Sequence, residues 1–253
     1  MRSSHTVDRI DTAFDDQRLV AGARLLLPGT LALHLGLKGL ADRFLDLGRA
    51  ADAANVGDKL LTLVMSALAG GDSIDDADAL RAGGTSRILG FSVKAPSTLG
   101  TFLRSFRWGH VRQLDVVSRH LLARAWTAGA GPGAAPFTID LDSTICETYG
   151  LAKEGATHHG YTGVRGYHPL LAVAAGTGDV LMARLREGRA NTVRGAAHFL
   201  VETIGRVRQA GASGELTRCG PTRASMPRRS SRSAGRWGSA SRSRSASTAR
   251  CAA

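Results

Sequence analysis

Residues 137–144 read FTIDLDST. Phe137, Ile139 and Leu141 alternate with Thr138, Asp140 and Asp142. That period of two predicts a short strand over 137–141, apolar on one face and polar on the other. Asp140 and Asp142 fall at its end, on the face they share with Thr138. A carboxylate at a strand end, beside a loop, is well placed to hold a hydrated divalent cation. One strand supplies half of such a site at most. Two-metal phosphoryl transfer needs further acids from elsewhere, so that the two ions sit roughly 4 Å apart. The same residues also fit a structural role, a strand-end Asp that caps the following turn through its side chain.

Before this strand, AGAGPGAAP (residues 128–136) has the composition of a linker. After it, Tyr167 to Ala175 and Val180 to Leu185 are two more candidate strands, joined by a turn at Gly176–Asp179. A helix follows, capped by Asn191 or Thr192 and running to about Gln209, with Val193, Ala197, Leu200, Val201 and Ile204 on its apolar side. Three strands and a helix resemble the opening of a ribonuclease-H-like fold, which expects a fourth strand from about Gly214-Glu215-Leu216-Thr217. Residues 218–253 instead hold nine Arg, nine Ser and no acid. Such a tail has almost nothing to bury and is expected to be disordered, leaving the sheet an unpaired edge.

Residues 1–128 read as helical. Leu31 to Leu47 has helical apolar spacing, and Val56 to Ala69 is apolar on most sides, as in a buried helix. Asp72, Asp75, Asp76 and Asp78 invite a metal reading, but acids also favour the positive end of a helix, and a helix start is the expectation. Ser97 can cap the next helix, in which Leu99, Phe102, Leu103 and Phe106 form one stripe. Arg104 and Arg107 lie off that stripe, and Val111 to Trp126 is a further amphipathic stretch carrying Arg112, Arg119 and Arg124. Exposed arginines on short helices suit DNA phosphates, and equally suit a plain solvated face.

Charge and cysteine usage set bounds. The chain of 253 residues carries +12, with pI near 10.8. The Arg-rich tail contributes most of that charge, so the pI says little about the rest. Cys146, Cys219 and Cys251 are odd in number and lack metal-ligand spacing, which excludes a disulfide framework and a zinc knuckle. No signal-like segment opens the chain and no apolar run is long enough to span a bilayer. A cytoplasmic protein without membrane contact is expected. Neither a phosphate-binding loop nor a Ser-His-Asp arrangement stands out, and adjacent His158 and His159, with His168, suit loop contacts better than a ligand set.

The strings SSHTVDRIDTAFDD, GGDSIDDADALRAGG, KAPSTLGTFLRSFRWGHVRQLD, IDLDSTICETYGLAKEGA, GYTGVRGYHPLLA and LREGRANTVRGAAHFL occur in order over about residues 1–217. Together they resemble the bacterial insertion-sequence transposases of the DDE class, which have a ribonuclease-H-like core. The resemblance implies a mixed α/β fold. A helical DNA-binding region (1–128) and a linker (129–136) would precede a partial catalytic core (137–217) and the tail (218–253). It implies DNA cleavage and strand transfer with Mg2+ at the terminal inverted repeats of an element. A homodimer, or a complex with a full-length transposase, is the expected assembly. The first triad Asp maps onto Asp142, with Asp140 the runner-up; these two are the catalytic and metal candidates. Arg104, Arg107, Arg112, Arg165, Arg189 and Arg194 are candidate DNA contacts. The second Asp is expected after the fourth strand, in a segment resembling ADSGFY, and the Glu on a later helix. Neither is found here, so the chain is expected to be inactive, or a DNA-binding module that inhibits transposition. The DLDST string also resembles the motif of haloacid-dehalogenase-type phosphatases, with Asp140 as nucleophile and Asp142 as general acid. The acidic pair and late Lys implied by that resemblance are missing.

The genetic code offers a reason for the missing Asp. Codons can be chosen for residues 218–237 such that the same bases, read after the first two are skipped, encode VRADSGFYAQAVVAVCRAM. That string supplies a strand, the ADSGFY motif and an amphipathic helix in register. A change of reading frame near codon 218 is the resulting expectation, and an evolved nucleic-acid-binding arm is its rival.

Overall fold

The computed structural model describes residues 20–48, 53–150, 153–160, 162–191 and 195–221. The fold is mixed α/β, with helices first and sheets after. Two compact units divide at Val117/Ser118.

The first unit contains α1 (Leu26–His34), α2 (Leu37–Phe44), α3 (Val56–Ala69), α4 (Ala77–Arg81), α5 (Thr85–Ile88) and α6 (Pro96–Arg104); α7 (Trp108–Ala125) starts in it. The single helical stretch expected from Leu31 breaks at Gly36, whose φ of 73° opens α2 in a left-handed conformation that suits only glycine well. α3 is the buried helix its composition predicts, and Leu61 and Met65 are sealed in the core with Leu40, Leu80, Leu99 and Phe102. Its first turn is capped from α2, where Asp42 Oδ1 accepts the Gly57 N–H at 2.7 Å. Buried Asp58 lies 2.6 Å from Lys38 Nζ and 3.5 Å from Lys94 Nζ. The hydrogen bond to Asp58 raises the Lys38 pKa above its ordinary value.

The acidic run does open α4. The Asp76 carboxylate accepts the amides of Asp72 (3.0 Å) and Ser73 (2.9 Å) and the Ser73 hydroxyl (3.0 Å). The Ser73 amide above all holds that carboxyl below its usual range. The expected Ser97 cap is corrected: α6 begins at Pro96, with Ala95 at the cap position and no side-chain cap bond. Proline suits the first helical position because its missing N–H would be unpaired there anyway. Leu103, expected in the buried stripe, is 44% exposed, whereas Leu99 and Phe102 are buried.

The second unit is built on β1 (Phe137–Ser143), β5 (Leu170–Ala174), β6 (Val180–Arg184) and β7 (Leu216–Pro221), in the order β6-β5-β1-β7, with α8 (Ala196–Gln209) between β6 and β7. β5 runs antiparallel to β1 and β6, and β7 returns parallel to β1. Three antiparallel strands, a helix and a parallel fourth strand follow one another, a mixed α/β arrangement. Ile139, Leu141, Leu170, Ala172 and Leu181 on the sheet pack with Phe199 and Val207 of α8. Trp126 joins them and donates its indole N–H to Asp179 at 3.2 Å.

The fourth strand corrects an expectation. β7 exists, takes in residues 218–221 and covers the β1 edge that was expected to be open. An extended backbone needs only its ladder hydrogen bonds to pair, so the loss of apolar pattern after Thr217 did not end the strand there. Residues 222–253, the remainder of the tail, lie outside the described residues. A second correction concerns Tyr167–Ala175. It is two segments in different sheets, because Pro169 has no N–H to continue the ladder. β4 (Arg165–Tyr167) instead pairs with β2 (Cys146–Glu147) and β3 (Thr157–His158) in a small sheet of order β2-β4-β3. The expected caps of α8 fail as well. Gly195 occupies that position, Asn191 lies before it, and Thr192, Val193 and Arg194 lie outside the described residues.

Candidate functional site

β1 alternates as its sequence predicts. Ile139 and Leu141 are buried beneath α8, while Thr138, Asp140 and Asp142 are half-buried on the other face. Asp140 pairs in register with Val173, and Asp142 with Leu171. Opposed residues in an antiparallel pair share a face, so both carboxylates project beside apolar neighbours. Asp142 also takes the local role that a strand-end Asp can take, since its Oδ1 accepts the Ser143 N–H at 2.8 Å.

β7 flanks β1 on its other side. The register pairs Ile139 with Cys219, Asp140 with Gly220 and Leu141 with Pro221. The strand thus delivers the chain to the end of β1 that carries Asp142. Downstream of Asp142, β1 passes within three residues into the small sheet through Thr144, whose N–H is accepted by Pro169 O at 3.4 Å.

The small sheet is tightly built. A Cβ on Gly188 would collide with the carbonyl oxygens of Thr157 and Gly166, and one on Gly166 with the Cys146 carbonyl. His168 is buried, its Nδ1 sits 2.7 Å from Ala190 O, and its ring lies edge to face with His159 at 5.0 Å. The Nδ1 proton must therefore be present to donate to that carbonyl. Burial is the largest influence on the His168 pKa and pushes it below its ordinary value; Arg186 and His159 push the same way. Arg186 holds the segment together by donating to His168 O and Asn191 O. His158 closes its own turn, with Nδ1 2.8 Å from Gly163 O. The histidines therefore serve loop structure.

The candidate DNA contacts fall into two groups. Arg165 donates to Gly150 O, and exposed Arg189 pairs with Glu187 at 3.3 Å, so both are engaged within the chain. Arg104, Arg107 and Arg112 are exposed around the α6–α7 corner. Arg194 lies outside the described residues. The sequence reading passed over Trp108, which stands 61% exposed at the start of α7, because a tryptophan ahead of an amphipathic stretch reads as core.

A model of the transposase DDE domain group 1 family matches residues 3–220. The chain belongs to that family. The match spans the helical unit, the β1 carboxylates and nearly all of β7. It connects the chain to DNA transposition and does not favour the phosphatase reading. No curated protein and no solved structure matches. Transposases of this family use a divalent metal, which Asp140 and Asp142 would suit as hard oxygen donors. Among the described residues, however, no three His, Cys, Asp or Glu side chains come together to hold one. The described donors do not make up a metal site. Nor is any helix among them long and apolar enough to cross a membrane.

Proposed function

We propose that this chain is a DNA-transposition protein whose catalytic face is represented by Asp142, supported by Asp140, and that it does not itself transfer strands. The observation that carries the proposal is the position of Asp142. It sits at the end of the first core strand, on the face away from α8, one residue beyond the last β1–β7 pair. Binding to the inverted repeats at the ends of an element belongs to the same reading. So does a need for Mg2+, which the described carboxylates alone do not satisfy.

The register between β1 and β7 ends at Leu141 and Pro221, one residue before Asp142. With the codons chosen above, one base restored within codon 218 would keep Arg218 and continue as VRADSGFY, with an aspartate at position 222. What supports a change of frame near codon 218 is the loss of apolar pattern after Thr217, together with the ADSGFY string that one choice of codons allows in the second frame. Sequencing the coding DNA tests it: the second frame should contain an ADSGFY-like string, and its absence ends the proposal. Activity is tested with purified chain, Mg2+ and a duplex carrying the element's terminal repeat. Cleavage or joining of that duplex by the chain as given would overturn the inactive reading.

A further inference from the structure

The arginines of the helical unit are not alike. Arg24 donates to Ala69 O, Arg43 lies over the Phe44 ring, and Arg81 pairs with Asp78. Among the described residues, the guanidinium groups of Arg104, Arg107 and Arg112 make no hydrogen bond, ion pair or ring contact, and all three are exposed. They lie within nine consecutive residues that contain no acid. Trp108, between them, is 61% exposed. An exposed indole costs hydration free energy, and three unpaired guanidinium groups repel one another. An anionic partner with a flat apolar edge relieves both.

The corner that carries them is rigid. Buried Phe102 meets Phe106 edge to face at 5.0 Å, and Phe106 meets His110 in the same way at 6.0 Å. His110 Nδ1 accepts the Arg107 N–H at 3.0 Å, which caps the start of α7 from its own first turn. Ser105 Oγ donates to Phe102 O at 2.6 Å and fixes the end of α6. The arginines thus project from a fixed frame, and less ordering entropy is lost when they bind. The positive end of the α7 dipole adds to the same field.

We infer that the α6–α7 corner is a docking surface for the backbone of duplex DNA, with Arg104, Arg107 and Arg112 on phosphates and the Trp108 indole against the sugar edge. The inference rests on the DNA-transposition reading and gives it a location. Phosphate contacts of this kind set register and orientation on the duplex and carry no sequence information of their own.

The test is fluorescence anisotropy of the full chain with a labelled duplex about three helical turns long. It compares wild type with the triple variant Arg104→Gln, Arg107→Gln, Arg112→Gln. Any binding by residues 218–253 is common to both proteins and cancels in the comparison. Three lost phosphate contacts lower the slope of log affinity against log salt by about 2.7 in magnitude. The wild-type advantage should therefore fall about 40-fold between roughly 50 and 200 mM salt. Trp108→Ala should weaken binding with the slope unchanged, and Arg43→Gln with Arg81→Gln, two arginines of the same unit that are engaged within the chain, should leave the slope as it is. A triple variant with the wild-type slope overturns the corner and leaves the DNA reading intact. Wild-type chain with no salt-dependent binding overturns both. Circular dichroism of each variant confirms that the helices are retained.

Discussion

Replacing Asp140 with Asn separates a residue placed for function from one placed for stability. Asp140 and Asp142 are two positions apart on β1 and share a face, so their carboxylates are about 6.6 Å apart along the strand. At effective dielectric constants between about 20 and 80, two like charges at that separation repel by about 0.6–2.5 kcal/mol. Both residues are half-buried, and solvent screening moves the value toward the lower limit. Asp140→Asn is therefore expected to leave the chain as stable as wild type or to stabilise it by about 0.5 kcal/mol. Asp142→Asn should act in the same direction, because an amide oxygen can still accept the Ser143 N–H. Urea unfolding at neutral pH and low salt, followed by the fluorescence of buried Trp126, reads the difference. Any gain should shrink in about 1 M salt, where the Debye length is roughly 3 Å. A loss of more than about 1 kcal/mol on Asp140→Asn would refute the reasoning, because it would show that the carboxylate holds the fold together.

Three further outcomes are expected. Phe199→Ala empties the contact between α8 and the sheet and should cost about 3–5 kcal/mol in the same unfolding assay. Gly188→Ala drives a methyl into two backbone carbonyls and should open the small sheet, at a cost of about 1–3 kcal/mol. Hydrogen exchange would show this as lost protection of the Thr148 amide, which bonds Arg165 O, while the β1–β5 amides stay protected. For His168, burial lowers the folded pKa below the ordinary 6.5, so the folded chain binds fewer protons than the unfolded one. Its contribution should be complete above about pH 6.5 and fall as pH drops toward the folded value. His168→Asn, which keeps a donor for Ala190 O, should flatten that dependence.

The strand that carries the candidate carboxylates was legible before the structure, for reasons local to the chain. β1 could be read because six residues of strict alternation, Phe137 to Asp142, leave one arrangement of faces. α3 could be read because its apolar residues run on most sides. The small sheet was missed because strands of two or three residues are too short to show a period. Its signals are glycines, Gly166 and Gly188, whose need appears only when a carbonyl already stands where a Cβ would go. Ser97 and Asn191 failed as caps because proline and glycine elsewhere set those helix starts.

The sequence by itself determined that Asp140 and Asp142 share one face of a strand, since side-chain direction in a strand is a matter of parity. It also determined the order of three strands and a helix, and the change in composition after Thr217. Tertiary structure alone decided that residues 216–221 pair with β1, because pairing requires only free N–H and C=O groups and leaves no mark in side-chain pattern. It alone decided which arginines are committed. Arg165 and Arg189 are tied within the chain while Arg104, Arg107 and Arg112 are not, a distinction set by which carbonyls and carboxylates folding brings within reach.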